Sequence, residues 1–336
     1  MVKRVLLVTG AVLGAALLVV GLLLLTPWFD GDLSSSARPT STYAEAADAL
    51  EELRALDGDQ IAPECRTNAI TQGRRTDEAV VLLHGFTSCP AQFAVVAQAY
   101  ADAGYNVVVP RLPAHGFADR LTDGPSAVTP QMLTDSVDRA VDIASGLGER
   151  VTVVGLSAGG TMAAWAAAHR DDVDEAVVVA PLMLPKVLPE PVLAPFARAA
   201  ARVPDLYLWW DGDRKEQLAT PPYAYPRYSI RSLGAFLAVG RDAQGEIDRE
   251  TPLDRIVVVV NEADGAVSNV PTDDFEARIA GSATQAGLVV VSADRGWKHD
   301  LITPDGENAE VIDDIYAYLS EILGLPALVE EVRSSG

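Results

Sequence analysis

The chain has 336 residues, of which 47 are acidic and 26 basic, for a net charge of −21. That excess of carboxylates argues against a nucleic-acid partner, since a phosphate backbone needs a basic patch. It argues equally against charge-driven adhesion to an anionic lipid surface, and acidity of this kind mainly favours solubility.

Taken in chain order, Lys3 and Arg4 precede an uncharged run from Val5 to Leu25 that is rich in Leu, Val and Ala. About 20 such residues can cross a bilayer as a helix, and secretory signals have shorter apolar cores. Trp28 and Phe29 follow, residues that suit a membrane interface. Residues 1–30 therefore read as an uncleaved transmembrane signal anchor, the basic end cytoplasmic and the rest outside. The alternative is a cleaved signal peptide, for which Ser35-Ser36-Ala37 could be the site, although it lies far from the apolar core. Residues 31–42, rich in Ser, Thr, Asp and Gly, read as a flexible linker. A helix over Ala44–Leu56 has Ala46, Leu50 and Leu53 on its apolar face, so 31–60 is linker and short helix. Cys65 and Cys89 are few enough to be incidental; outside the cytoplasm they could pair as one disulfide, and two separate thiols is the competing reading.

Residues 61–330 read as one domain in which strand-like and helix-like segments alternate. The strand-like runs are Ala79–Leu83, Val107–Val109, Val151–Val154, Ala176–Ala180, Ile256–Val260 and Leu288–Val291. They are mostly apolar rather than alternating, as expected of parallel strands covered on both faces. Helices are expected from Pro90 to Ala103 with Gly104 as a stop, from Thr129-Pro130 to near Gly146, and from about Ala309 to Leu323. This alternation predicts an α/β fold, a doubly wound and mostly parallel sheet. It breaks between about 181 and 250, where prolines and the aromatics Tyr207, Trp209, Trp210, Tyr223, Tyr225 and Tyr228 suggest an inserted cap or lid.

Gly155-Leu156-Ser157-Ala158-Gly159 lies between an expected strand and an Ala-rich helix. That is the setting of a nucleophile elbow, in which a sharp turn lifts a serine hydroxyl clear of the sheet. A serine nucleophile needs a histidine base, and the chain has four: His84, His115, His169 and His299. His169 is several helical turns from Ser157, and His84 and His115 precede it. The chain order Ser, acid, His leaves His299. The acid belongs on the loop after the strand Ile256–Val260, where Asp264 is the first candidate and Glu262 the second. Its carboxylate would orient the imidazole and stabilise the imidazolium. Asp300, next to His299, should point elsewhere, and Cys89 is no nucleophile candidate.

Leu82-Leu83-His84-Gly85-Phe86-Thr87-Ser88, Pro110-Arg111-Leu112-Pro113-Ala114-His115-Gly116, Gly155-Leu156-Ser157-Ala158-Gly159-Gly160, Asp264 and His299 together resemble the α/β-hydrolases. Within them the chain is similar to the bacterial carboxylesterase, monoacylglycerol lipase and serine aminopeptidase-like group, over roughly 78–325 at domain scale. The resemblance implies Ser157, Asp264 and His299 as catalytic triad, with the backbone N–H groups of Phe86 and Ala158 as oxyanion hole. It also implies an ester or lipid substrate. The group usually has Gly where this chain has Ala114. His84 then braces the oxyanion loop and His115 belongs to a turn.

Amide hydrolysis or acyl transfer would use the same triad. An aminopeptidase would need a cap carboxylate for the substrate amine, for which Glu190, Asp205, Asp211 or Asp213 could serve. A non-catalytic membrane-tethered binding protein is the remaining class. No zinc-ligand pattern or phosphate-binding glycine loop is found in the sequence, so neither metal nor organic cofactor is expected.

Overall fold

The computed structural model describes residues 33–202, 204–213, 215, 221–247, 253–269, 275, 278–279, 283–325 and 328, with 14, 18 and 21 as isolated positions. The expected membrane anchor over 1–30 lies outside the described residues apart from those three. Among the described residues no helix is long and apolar enough to cross a membrane.

The centre is a seven-stranded sheet in the order β1-β3-β2-β4-β5-β8-β9. Its strands are β1 (Asn68–Ile70), β2 (Thr76–Leu83), β3 (Asn106–Val109), β4 (Gly148–Leu156), β5 (Glu175–Val179), β8 (Arg255–Asn261) and β9 (Gln285–Val291). All neighbours are parallel except β1, which pairs antiparallel with β3 at the edge. The apolar runs explain this arrangement: Val80–Leu83, Val153–Val154 and Val258–Val259 are fully buried, as strands with both faces covered must be. β1 has no such run and was not legible in the sequence.

The helices of the main body are α1 (Tyr43–Arg54), α2 (Ala94–Asp102), α3 (Pro130–Leu147) and α4 (Ala158–His169), with α7 (Ile312–Ile322) last. α1 starts in a capping box between Thr42 and Glu45 and buries Ala46, Leu50 and Leu53, the expected face. The segment expected to be one helix from Pro90 begins instead as a 3-10 turn, Pro90–Phe93, before α2. Proline can open a helix because its missing N–H would be unpaired there anyway.

The stretch 181–250 divides in two. α5 (Glu190–Ala200) and the antiparallel pair β6 (Tyr207–Trp209) and β7 (Arg227–Ser229) form the cap. α6 (Ile230–Glu246) instead packs along α4, with Phe236 and Val239 fully buried, and so belongs to the layer covering the sheet.

Residues 33–42, read as a flexible linker, are an extended strap against α3. Ser35 Oγ and Ser36 N–H donate to Asp138 at 2.6 and 2.7 Å, and Arg38 N–H donates to Asp142 at 2.9 Å. Trp165 Nε1 donates to the carbonyl of Leu33 at 3.0 Å, and Leu33 is itself only 2% exposed. The small polar residues that suggested mobility are here the donors that hold the strap down. Asp138 and Asp142 also neutralise the buried Arg170 guanidinium, at 2.9 and 2.7 Å.

Candidate active site

β4 ends at Leu156 and α4 begins at Ala158, so Ser157 alone makes the turn. Its φ of 58° and ψ of −117° lie in a region that L-residues rarely adopt. The surrounding backbone holds it there. Ser157 N–H donates to Val179 O at 2.8 Å, and its carbonyl accepts from Thr161 N–H at 2.9 Å and Leu182 N–H at 3.0 Å. The flanking glycines are required sterically. A Cβ on Gly155 would lie 2.0 Å from Gly159 O, and one on Gly159 would lie 1.8 Å from Leu83 O. Strand and helix backbones cross too closely for any side chain.

Asp264 and His299 are brought together. His299 Nδ1–H donates to Asp264 Oδ2 at 2.6 Å. The other carboxylate oxygen accepts from the N–H groups of Ala266 and Val267 at 2.7 and 2.9 Å. Burial alone would raise the Asp264 pKa, but the His299 bond and charge and those two N–H groups hold it below its ordinary value. For His299 burial works downward, yet the Asp264 bond and charge, helped by Asp300 and Glu307, raise its pKa above 6.5. Glu262, the second candidate acid, is spent elsewhere: it accepts from Ala293 N–H at 2.9 Å.

The His299 loop is fixed from both sides. Asn261 Nδ2 donates to Trp297 O at 2.9 Å, and Asn308 binds Lys298 N–H at 2.8 Å and Asp300 O at 2.7 Å. With Nδ1 committed to Asp264, Nε2 is the nitrogen left to accept a proton. Among the described residues no hydrogen bond joins it to Ser157, a contact that in hydrolases without substrate is often long.

The loop after β2 lies against the elbow, a Cβ on Gly85 falling 3.6 Å from Ser157 Cβ. Leu112 N–H donates to His84 Nε2 at 3.1 Å, so the His84 proton sits on Nδ1, which faces Gly85 O at 3.0 Å. Ser88 N–H donates to the same carbonyl at 3.1 Å. Because the peptide is planar and trans, fixing Gly85 C=O aims the Phe86 N–H the opposite way. That N–H and the N–H of Ala158, first residue of α4, donate to no acceptor among the described residues. Two unpaired donors beside a helix N-terminus can receive an oxyanion. Full burial keeps His84 neutral, its pKa well below 6.5, which suits the bracing role rather than that of a base.

The cap grips this loop. Trp210 Nε1 donates to Thr87 Oγ1 at 3.0 Å, and Tyr225 N–H donates to Thr87 O at 2.8 Å. Phe86 is ringed by Trp210, Tyr228 and Phe236 at centroid distances of 6.1, 5.8 and 5.4 Å. His115 joins the cluster, stacked on Tyr225, and burial pushes its pKa down to about 4, so it too is neutral. His169, set aside as a base, binds Asp242 at 2.7 Å.

Cys65 and Cys89 form a disulfide, with Cα atoms 5.2 Å apart, just beyond this loop. Ala114, where glycine was the usual residue, has a φ of 58°, which explains that preference. Two of the cap carboxylates are hydrogen-bonded within the cap and a third is exposed. Asp205 accepts from Ser229 Oγ and Arg231 N–H at 2.6 and 3.0 Å, Asp211 accepts from Asp213 N–H at 2.9 Å, and Glu190 is exposed at the start of α5. Among the described residues no group of three or more His, Cys, Asp or Glu is placed to hold a metal ion.

Residues 80–317 match the model of the alpha/beta hydrolase family. A thermostable monoacylglycerol lipase from Bacillus sp. (strain H-257) is 34% identical over 100 residues, a match spanning 28% of this chain and 36% of that protein. Among solved structures, a soluble variant of monoglyceride lipase from Saccharomyces cerevisiae superposes with a TM-score of 0.60 at 14% identity, covering 77% of this chain and 90% of that one. Monoacylglycerol lipase from Paleococcus ferrophilus gives a TM-score of 0.58 at 16% identity, covering 76% and 97%. At such identities the two structures establish likeness of fold.

Proposed function

Since the chain belongs to the alpha/beta hydrolase family, we propose that it is a serine hydrolase cleaving carboxylic esters, of the carboxylesterase or monoacylglycerol lipase kind. The observation that carries this reading is the Asp264–His299 pair, bonded through Nδ1 at 2.6 Å, which leaves Nε2 for a proton. Ser157 attacks the ester carbonyl and His299 Nε2 accepts the hydroxyl proton. Asp264 orients the ring and stabilises the imidazolium. The N–H groups of Phe86 and Ala158 hold the tetrahedral oxyanion, the type of contribution that is usually largest. His299 then protonates the leaving alcohol, and water activated by the same base releases the acid and restores Ser157. The local likeness to a monoacylglycerol lipase supports a lipid ester, and the aromatic cap offers an apolar surface to an acyl chain.

The engagement of Asp205 by Ser229 and Arg231 speaks against an aminopeptidase site built on that residue. The apolar run from Val5 to Leu25 supports a single-pass anchor, and the disulfide supports a catalytic domain outside the cytoplasm. In this reading residues 1–30 anchor the protein and the folded body begins at the strap.

The test is turnover of p-nitrophenyl esters from acetate to palmitate by the full chain in detergent, beside Ser157→Ala. Turnover lost in the variant is the expected result. A folded wild type that hydrolyses no ester and resists a fluorophosphonate would refute the reading and favour a binding protein. Labelling without ester turnover would point to an amidase or acyltransferase.

A further inference from the structure

Gln92 stands in the 3-10 turn Pro90–Phe93, only 4% exposed, and takes no part in the chemistry above. Its side-chain amide spans two loops that the reaction uses together. Oε1 accepts from Gly85 N–H at 2.7 Å, on the loop that carries the Phe86 donor. Nε2 donates to Asp300 Oδ2 at 2.9 Å, across a sequence separation of 208 residues, next to His299. Both ends are rigid. Asp300 Oδ1 accepts from the N–H groups of Ile302 and Thr303, each at 3.0 Å, and Oδ2 also accepts from Thr303 Oγ1 at 2.6 Å. The Gly85 carbonyl is held by His84 and Ser88.

We infer that Gln92 is a positioning residue that ties the loop of the oxyanion donors to the loop of the base, so that the two hold register across the cleft. The inference rests on the serine-hydrolase reading. The chemistry of the two ends selects the residue. One end offers a buried N–H and needs an acceptor; the other offers a carboxylate and needs a donor. A side-chain amide supplies both on one planar group, and the partners also fix which way it is turned. A glutamate would satisfy Gly85 but set a like charge against Asp300. A leucine would fill the space and leave a buried N–H and a carboxylate oxygen short of partners. Asp264 fixes the orientation of His299, but nothing in that pair sets its distance from the oxyanion donors. A misplacement of about 1 Å between such groups costs about a hundredfold in rate.

The experiment compares Gln92→Leu, Gln92→Glu and the double variant Gln92→Glu/Asp300→Asn with the full-length wild type in detergent. Readouts are kcat and KM on a p-nitrophenyl ester, the rate of fluorophosphonate labelling at Ser157, and circular dichroism with a melting curve. Gln92→Leu should lower kcat and the labelling rate about 10- to 100-fold, with KM within about threefold and the protein folded at the assay temperature. Gln92→Glu should move the acidic limb of kcat/KM to higher pH, through the added negative charge near His299. The double variant reverses the polarity of the bridge, the new carboxylate accepting from Gly85 and from the new amide. It should recover kcat to within about fivefold of wild type. A purely structural residue would change the melting curve and leave kcat and the labelling rate of the folded Gln92→Leu variant unchanged.

Wild-type kcat in folded Gln92→Leu, or a double variant no better than the single, overturns the inference. If the wild type turns over no ester but labels at Ser157, the ester reading fails, and the labelling rates, which depend on the same base and donors, still decide the role of Gln92. If the wild type neither turns over nor labels, both fall.

Discussion

Breaking the link between Cys65 and Cys89 tests how the body is held at the edge of the site. The two residues are separated by 24 positions, and both are fully buried. In the chain-entropy account a cross-link of that span restricts the unfolded chain by about 3.4 kcal/mol at 25 °C. Reducing the wild type removes no atoms, so it isolates this contribution. For a body of this size about 2 °C of melting temperature corresponds to each kcal/mol, which puts the expected drop near 7 °C. Replacing both residues by alanine also deletes two packed sulfur atoms, at a further cost of about 1 kcal/mol each. The assay is a melting curve followed by tryptophan fluorescence, with and without a phosphine reductant, for the wild type and Cys65→Ala/Cys89→Ala. The double variant should melt lowest and ignore the reductant. A wild type that shifts by less than about 2 °C, or a double variant that still responds, would refute the reasoning.

Gly159→Ala should abolish ester turnover and destabilise by about 3 kcal/mol or more, since its Cβ would fall 1.8 Å from the Leu83 carbonyl oxygen; activity and urea titration check it. Asp264→Asn should lower kcat by about four orders of magnitude. The wild-type acidic limb of kcat/KM should lie above pH 6.5, because Asp264 raises the His299 pKa, and should move down in that variant. The stability given by the raised His299 pKa is complete below about pH 6.5 and is lost as pH rises through its folded value. That given by the lowered Asp264 pKa is present above its ordinary value and lost as pH falls through the folded one. Ala114→Gly should gain roughly 0.5–1 kcal/mol in urea titration, relief of the left-handed backbone outweighing the greater freedom of glycine when unfolded. Starting the chain at Tyr43 should cost about 3–5 kcal/mol in the same titration, through the loss of Leu33 burial and of the Trp165 acceptor.

The central sheet was legible because parallel strands with both faces covered carry few polar residues, so Val151–Val154 and Ile256–Val260 identify themselves. The elbow was legible for steric reasons, its glycines being demanded by crossing backbones. The pairing of Asp264 with His299 was legible by position, but its preference over Glu262, two positions earlier in the same loop, depended on which carboxylate faces the imidazole. What stayed hidden depends on contacts between distant residues. Gln92 looks like any polar residue in a turn until Asp300 is beside it. The pairing of Cys65 with Cys89 depends on a Cα separation that spacing does not give. Residues 33–42 were misread because a Ser- and Thr-rich stretch has one composition whether water or aspartate accepts its hydrogen bonds. The boundary of the cap at α6 was hidden because its buried Gly234 and Gly240 meet Ala200 and Thr161, partners absent from the local pattern.

The strap also orders events during synthesis. Ser35 finds its partner 103 residues later, and the Leu33 carbonyl finds Trp165 after 132. At about 5–20 residues per second the ribosome needs roughly 7–26 s to make the second of these partners. Cys89 follows Cys65 by 24 residues and arrives within roughly 1–5 s. The disulfide can therefore close before β3, which joins β1 to β2, has been made, whereas Leu33 waits with its side chain in water until α3 and α4 exist. A chaperone or protease that meets the nascent chain in that interval encounters residues 33–42 as unattached peptide, and the same enzymes acting on the finished protein find them hydrogen-bonded to α3 with Leu33 buried.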